Sequence, residues 1–182
     1  MFWTWLPVYY HETFHMNLGG SGFSGTFMIQ FAALTAMIIG GYLSDRIGAT
    51  MPKRKLLTLT LFYFASVPFL LVFTGQPSYM VLSSSIFMFS FVRTLGQANE
   101  QPVICDIIPA NLRSTAFGLL LTSTVLGGGV AVLFAGYIKQ KQGLAFAFLC
   151  VSGLVLIAAV ASLVAYIFYF DRDILERSSR DA

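Results

Sequence analysis

The chain has 182 residues, of which 57% are hydrophobic and only 10% carry a charge, and its mean hydropathy is +0.76. In a soluble domain about a quarter of the residues are charged, so this composition excludes an ordinary domain whose surface faces water. The formal net charge is +3, and most of the basic residues lie near the ends of apolar runs. They do not form the basic, aromatic-rich surface typical of nucleic-acid binding. We therefore predict an all-α, polytopic protein of the lipid bilayer.

The predicted elements begin with ten apolar residues, 1–10, which would cover about half of a bilayer core as a helix. Long apolar runs follow, and because backbone amides cannot stay unpaired in lipid, runs of this length must be helical. The opening segment is interpreted as the outer half of a helix, residues 1–170 as one bundle and residues 171–182 as a tail. We predict complete spans at Phe23–Leu43, Leu56–Phe73, Tyr79–Ile108, Ser114–Ile138 and Leu144–Phe170.

Basic residues are distributed unevenly between the two sides of the membrane. Eight fall on one side of the predicted topology and two on the other, and the positive-inside rule makes the first side cytoplasmic. This predicts a multi-pass protein of the cell membrane with a cytoplasmic C-terminus. The cytoplasmic set is Arg46, Lys53, Arg54, Lys55, Arg113, Arg172, Arg177 and Arg180, against Lys139 and Lys141.

The segment "GYLSDRIG", residues 41–48, lies in the predicted cytoplasmic loop between the first two complete spans. It resembles the G-x-L-x-D-R-x-G loop motif of the major facilitator superfamily, which recurs in each six-helix half of those transporters. The resemblance covers nearly the whole chain and implies the C-terminal six-helix half, from the middle of helix seven to helix twelve. The N-terminal half would be a separate or upstream partner. A cytoplasmic gate would then be formed by Gly41, Asp45, Arg46, Gly48 and Arg113.

Two further segments, "TWLPVYY" and "NEQPVICDIIPANLRSTAFGLL", resemble the anion:cation symporter branch of the superfamily. This likeness implies secondary transport of a small organic anion by alternating access, with H⁺ or Na⁺ as a possible co-transported ion. The resemblance to the superfamily as a whole also implies that Leu56–Phe73 and Leu144–Phe170, which carry few polar groups, lie outside the cavity. No catalytic constellation and no cofactor site is predicted.

The span Tyr79–Ile108 carries the polar side chains from which we predict a site. Arg93, Gln97 and Glu100 follow i, i+4, i+7 and share one helix face. Arg93 lies about 21 Å along the axis from Tyr79, well inside the bilayer, where an arginine rarely faces lipid. We hypothesise that Arg93 binds an anionic solute group, with Glu100 as its counter-ion in the empty state or as a proton carrier. The alternative is a structural salt bridge, either Arg93–Glu100 or between halves.

Other residues are placed by weaker arguments. Asn99 belongs to the same polar stretch, and Pro102 is expected to bend the helix there. Gln30, Tyr9 and Tyr10 are candidate cavity residues. Small residues let helices approach closely. That argument applies to Gly40 and Gly41, to Gly19, Gly20, Gly22 and Gly25, and to Gly127, Gly128 and Gly129, which we expect against a helix of the other half.

Two alternatives to a transporter half stay open at this point. "HETFH", residues 11–15, fits the H-E-x-x-H pattern in which His11 and His15 bind zinc on one helix face and Glu12 acts as general base. The third zinc ligand would be Asp106, which the predicted topology places a bilayer away. The other alternative is a truncated fragment that does not transport, because half a facilitator lacks one wall of its cavity.

Overall fold

The computed structural model describes residues 1–48 and 52–168, and every regular element in those ranges is helical. The helices are α1 (Phe2–Phe14), α2 (Leu18–Gly48), α3 (Pro52–Leu70), α4 (Tyr79–Gln97), α5 (Glu100–Ile107) and α6 (Arg113–Phe168), with short 3₁₀ turns at Leu71–Thr74 and Ala110–Leu112. Four stretches of the described residues are long and apolar enough to cross a membrane: Leu18–Ile47, Lys53–Thr74, Tyr79–Ile107 and Ala110–Phe168. The predicted all-helical membrane bundle is confirmed at this level. The predicted tail, 171–182, and the end of the last span lie outside the described residues.

The helix α6 consists of two helical segments that meet at Gly143. That glycine has φ 83° and ψ 167°, a conformation that residues with a Cβ rarely adopt. The chain therefore turns back on itself there. We call residues 113–142 the first arm and residues 144–168 the second arm.

The packing order follows from contacts along the helix axes. Ser24 contacts Tyr79 at the start of α4, and Gly40 contacts Ala98 just beyond its end, so α2 and α4 run parallel. α3 also packs on α4 and contacts the second arm, where Thr60 donates to the hydroxyl of Ser162 over 3.0 Å.

Two apolar clusters hold the bundle together. The larger lies where α1 meets α4 and the second arm, with Phe148 stacked on Phe73 at 4.6 Å between ring centroids. The smaller joins α3, α5 and the second arm through Leu59, Val103 and Ala159.

Two close approaches explain glycines in this bundle. A Cβ on Gly40 would stand 2.8 Å from Ala98 Cβ, and one on Gly25 would stand 2.9 Å from the backbone nitrogen of Pro7. Gly41 and Gly22 differ, because no atom of the described chain lies within 4 Å of their Cβ positions, and Gly19 and Gly20 face only nearby residues of their own turn. The prediction of close packing therefore holds for one glycine of each set, Gly40 and Gly25.

The prediction of a loop over residues 44–55 is largely wrong. α2 continues as a helix to Gly48 and α3 begins at Pro52, so only residues 49–51 separate them, and these lie outside the described residues. A proline is well suited to the first helical position because its fixed φ fits the helix and no N–H is needed there. Most of the gate motif is thus the last two turns of α2 rather than a loop.

The predicted span Tyr79–Ile108 is interrupted, and Pro102 accounts for the position of the interruption. Proline has no N–H to donate to the carbonyl four residues earlier, which is that of Ala98, and its ring crowds that carbonyl. The chain leaves the α-helical pattern at Ala98–Asn99, where the Asn99 amide donates instead to the carbonyl of Gly96 over 2.9 Å. The predicted effect of Pro102 is thus observed as a two-residue interruption between α4 and α5.

Candidate functional site

The polar site lies beside the break between α4 and α5. Arg93, Gln97 and Glu100 line one open pocket of about 360 Å³, which α3 and the first arm also border. The predicted common face is therefore observed. We call this cavity the polar pocket; its remaining lining residues are Leu59, Val103, Ile104, Leu120 and Thr124.

Arg93 also lines a second cavity of about 280 Å³, which we call the apolar pocket. Ser90 also lines this pocket, and its hydroxyl donates to the carbonyl of Ile29 over 3.1 Å. Arg93, which is half-buried, thus borders both cavities. The remaining lining residues of the apolar pocket are Met1, Phe2, Trp3, Ile29, Phe89, Val151 and Val155.

The hydrogen bonds of the polar pocket differ from the predicted ion pair. Arg93 Nη1 donates to Gln97 Oε1 over 3.1 Å, and Glu100 Oε1 accepts a hydrogen bond from the hydroxyl of Tyr63 on α3. Among the described residues, Arg93 and Glu100 form no ion pair. The expectation that Glu100 is the counter-ion of Arg93, in either its functional or its structural form, is therefore wrong for this conformation.

Sequence reasoning did not find Tyr63. It placed the span of α3 outside the cavity, yet α3 provides Leu59 to the polar pocket and Tyr63 to its carboxylate. The second arm, also expected outside, provides Val151 and Val155 to the apolar pocket. No sequence pattern marks Tyr63; the available signal is that a carboxylate inside a membrane bundle needs a donor.

Four other predicted residues do not reach the two pockets around Arg93. Tyr9 and Tyr10 are buried in the larger apolar cluster, where the Tyr10 hydroxyl lies 2.8 Å from that of Ser83. Asn99 is fully buried; its Nδ2 donates to the carbonyl of Leu95 over 3.3 Å, and its Oδ1 has no partner in the described chain. Gln30 is exposed and lines a separate groove of about 530 Å³ on α2.

The gate motif lies at the exposed end of α2. Asp45 and Arg46 are both exposed, and Arg46 lies over the ring of Tyr42 at 4.7 Å from its centroid. Gly48 is the last residue of the helix. The structure does not bring Arg113 to this motif: its guanidinium donates to the carbonyls of Cys105, over 2.8 Å, and Ile108, and so caps the end of α5.

Within residues 1–48 and 52–168, one ion pair joins helices at each end of the bundle. Lys55 Nζ on α3 lies 2.8 Å from Asp106 Oδ2 on α5, with side chains 15% and 24% exposed. Glu12 on α1 pairs with Lys139 on the first arm over 2.5 Å. Neither was predicted, because each pairs residues that are distant in sequence.

The zinc-binding pattern is not assembled as a helix face. α1 ends at Phe14, and His15 has φ 53° and ψ 32°, so it leaves the helix on which an i, i+4 pair must lie. His11 Nδ1 lies 2.6 Å from the carbonyl oxygen of Met16. Since Asp106 pairs with Lys55 at the other end of the bundle, the structure contradicts the intramembrane protease alternative.

The three glycines of the first arm, Gly127, Gly128 and Gly129, face open space. No atom of the described chain lies within 4 Å of a Cβ at any of them. Large apolar side chains around them are exposed: Leu121, Val125, Leu126 and Val130 each expose more than 60% of their surface. No helix of the described residues packs on this face.

These features define a multi-pass helical membrane protein with a charged polar pocket beside a broken helix. The chain belongs to the Major Facilitator Superfamily, whose family model matches residues 1–181. It is 27% identical over 137 residues to a citrate-proton symporter of Klebsiella pneumoniae, an alignment that covers 71% of this chain and 30% of that protein. The chain thus spans about 30% of the length of this relative. No solved structure matches this chain.

Proposed function

We propose that this chain is the C-terminal, six-helix part of a secondary transporter that carries a small organic anion by alternating access. Family membership and the likeness to a citrate-proton symporter support this class of activity. The observation that carries the anion proposal is Arg93, a guanidinium within a membrane span that lines two cavities and has no carboxylate partner among the described residues.

A guanidinium that has no carboxylate partner within the described part of the chain favours an anionic ligand for a physical reason. A charge inside a bilayer is costly, and it is retained where it meets an opposite charge or water. The planar fork of arginine matches a carboxylate with two parallel hydrogen bonds, and Gln97 already orients one of its nitrogens. A carboxylate of the solute would supply the missing counter-charge.

Glu100 is proposed as the proton carrier. It lies in the same pocket as Arg93, and protonation of its carboxylate would change the charge of the pocket while the solute is bound. Coupling to Na⁺ is the alternative. Uptake driven by a pH gradient, and not by a Na⁺ gradient, would support the proton.

The rest of the transporter is proposed to cover the open faces of this chain. The exposed glycines of the first arm suit a closely packed helix from an N-terminal half. At the other end, Gly41, Asp45, Arg46 and Gly48 would form contacts with that half that break and re-form as the two halves rock, with the C-terminus cytoplasmic.

Uptake of labelled citrate tests this proposal in proteoliposomes that contain the full-length protein carrying this chain. Arg93→Gln is expected to raise KM by about tenfold or more, because a hydrogen bond to a charged group contributes about 1.5–3 kcal/mol. Arg54→Gln makes the same chemical change at an exposed position of α3 and is expected to leave KM unchanged. Equal KM values for Arg93→Gln and the unmodified protein would contradict the anion site, and failure of the unmodified protein to take up any di- or tricarboxylate would contradict a solute of the citrate type.

A further inference from the structure

The carboxylate of Glu100 is held from a neighbouring helix rather than by the cation in its own pocket. Tyr63 on α3 donates its hydroxyl hydrogen to Glu100, while Arg93 donates to Gln97. Arg93 and Glu100 nevertheless line the same pocket. The structure therefore separates two opposite charges that line one cavity.

The ring of Tyr63 has little freedom to move. It is 9% exposed and belongs to the smaller apolar cluster with Leu59 and Val103. Gly96 on α4 lies so close that a Cβ there would stand 3.2 Å from Tyr63 Cδ1. Because the ring is clamped between helices, its hydroxyl is presented at one position, beside the first residue of α5.

Because of the helix break, the hydrogen bond from Tyr63 contributes to the orientation of the Glu100 carboxylate. Glu100 begins α5, and the break at Ala98–Asn99 lies between it and Arg93. The relative direction of the two side chains is therefore not set by one rigid helix, and a contact from α3 is needed to fix the carboxylate. Without that contact, Arg93 is the charged donor that shares its pocket, and opposite charges attract strongly away from water.

We propose that Tyr63 is a positioning residue that holds Glu100 away from Arg93 and so keeps the guanidinium available to an anionic solute. This inference rests on the proposed anion site and adds to it a residue from α3. Loss of the hydroxyl would let Glu100 pair with Arg93, and a solute carboxylate would then have to displace that internal partner.

Binding of citrate to the detergent-purified full-length protein, measured by isothermal titration calorimetry, tests the inference without requiring net proton movement. Tyr63→Phe is expected to weaken binding by about tenfold, the cost of displacing one charge-assisted hydrogen-bonded partner. Glu100→Gln is expected to bind citrate more tightly than the unmodified protein, because a negative charge has left the pocket that the anion enters. The double variant Tyr63→Phe/Glu100→Gln is expected to match Glu100→Gln, because the competing carboxylate is gone.

The control is Tyr79→Phe, which removes a tyrosine hydroxyl that contacts Ser24 over 3.1 Å outside the two Arg93 pockets, and which is expected to leave the Kd unchanged. A double variant that binds as weakly as Tyr63→Phe would mean that the tyrosine acts only through packing, and would overturn the inference. An unchanged Kd in Tyr63→Phe would overturn it equally. If Arg93→Gln alone loses affinity, the proposed function stands although the role of Tyr63 has failed.

A ligand-free measurement keeps the inference testable if citrate does not bind. The infrared carboxylate stretch of Glu100 is identified by subtracting the spectrum of Glu100→Gln. Tyr63→Phe is expected to shift this band, and further replacement of Arg93 by Gln is expected to shift it again as the new partner is removed. A band that does not respond to Tyr63→Phe would overturn the inference.

Discussion

Adjacent glycines on α2 allow the packing of α2 on α4 to be measured against an internal control. A Cβ on Gly40 would stand 2.8 Å from Ala98 Cβ, 3.2 Å from Leu95 O and 3.3 Å from Leu95 Cα, whereas Gly41 has no such neighbour within 4 Å. Alanine at position 40 therefore forces two helices apart, and alanine at position 41 does not.

The magnitude follows from two opposing terms. Overpacking of a well-packed contact costs about 1–3 kcal/mol. Replacing glycine by alanine inside a helix gains about 1 kcal/mol. The helix term is common to both variants and cancels in their comparison, so Gly40→Ala should be less stable than Gly41→Ala by about 1–3 kcal/mol.

Reversible unfolding of both variants in mixed detergent micelles, followed by tryptophan fluorescence, gives the two free energies of unfolding. The fluorescence of Trp3 and Trp5 reports on α1, which packs directly on α2. A Gly40→Ala protein as stable as Gly41→Ala would refute the close contact between α2 and α4.

Three further predictions concern other contacts of the bundle. Lys55→Ala and Asp106→Asn should be non-additive in a double-mutant cycle, with a coupling free energy of unfolding of about 1 kcal/mol for this partly exposed pair; additive effects would show that the 2.8 Å contact contributes nothing. Pro102→Ala supplies an N–H to the carbonyl of Ala98, so amide hydrogen exchange across residues 98–103 should slow, and an unchanged rate would contradict the assignment of the break to this proline. Trp5→Phe removes the hydrogen bond from Nε1 to the carbonyl of Val132, 3.1 Å long, and should lower the free energy of unfolding by about 1 kcal/mol, whereas no loss would mean that α1 and the first arm are held by other contacts.

The helices could be predicted from the sequence because membrane insertion imposes one simple condition, a long apolar run. Their ends could not be predicted in the same way. The second part of the gate motif, "SDRIG", is polar and suggests a loop. A helix end that leaves the membrane tolerates polar residues, however, and α2 continues to Gly48. The break at Ala98–Asn99 was predictable because Pro102 has a local steric effect that sequence alone defines.

The polar pocket could be predicted only where its residues lie on one helix. Arg93, Gln97 and Glu100 are related by helical periodicity, and the structure brings them to one cavity. Their partners depend on which helices pack together. Tyr63 is 37 residues from Glu100, and Lys55 is 51 residues from Asp106, so neither contact leaves a periodic signal in the sequence.

Water accessibility at position 93 tests the central claim most directly. Arg93→Cys is made in the full-length protein after Cys105 and Cys150 are replaced by serine, and labelling by a membrane-impermeant, charged thiol reagent is followed with and without citrate. Such reagents react with thiolate, which forms in water and not in lipid, so Leu154→Cys on the exposed apolar face of the second arm is the unreactive control. We predict that the cysteine at position 93 is labelled, and that citrate slows its labelling only at concentrations above the KM of a protein without the guanidinium, which is raised. A position 93 as unreactive as position 154 would contradict the account.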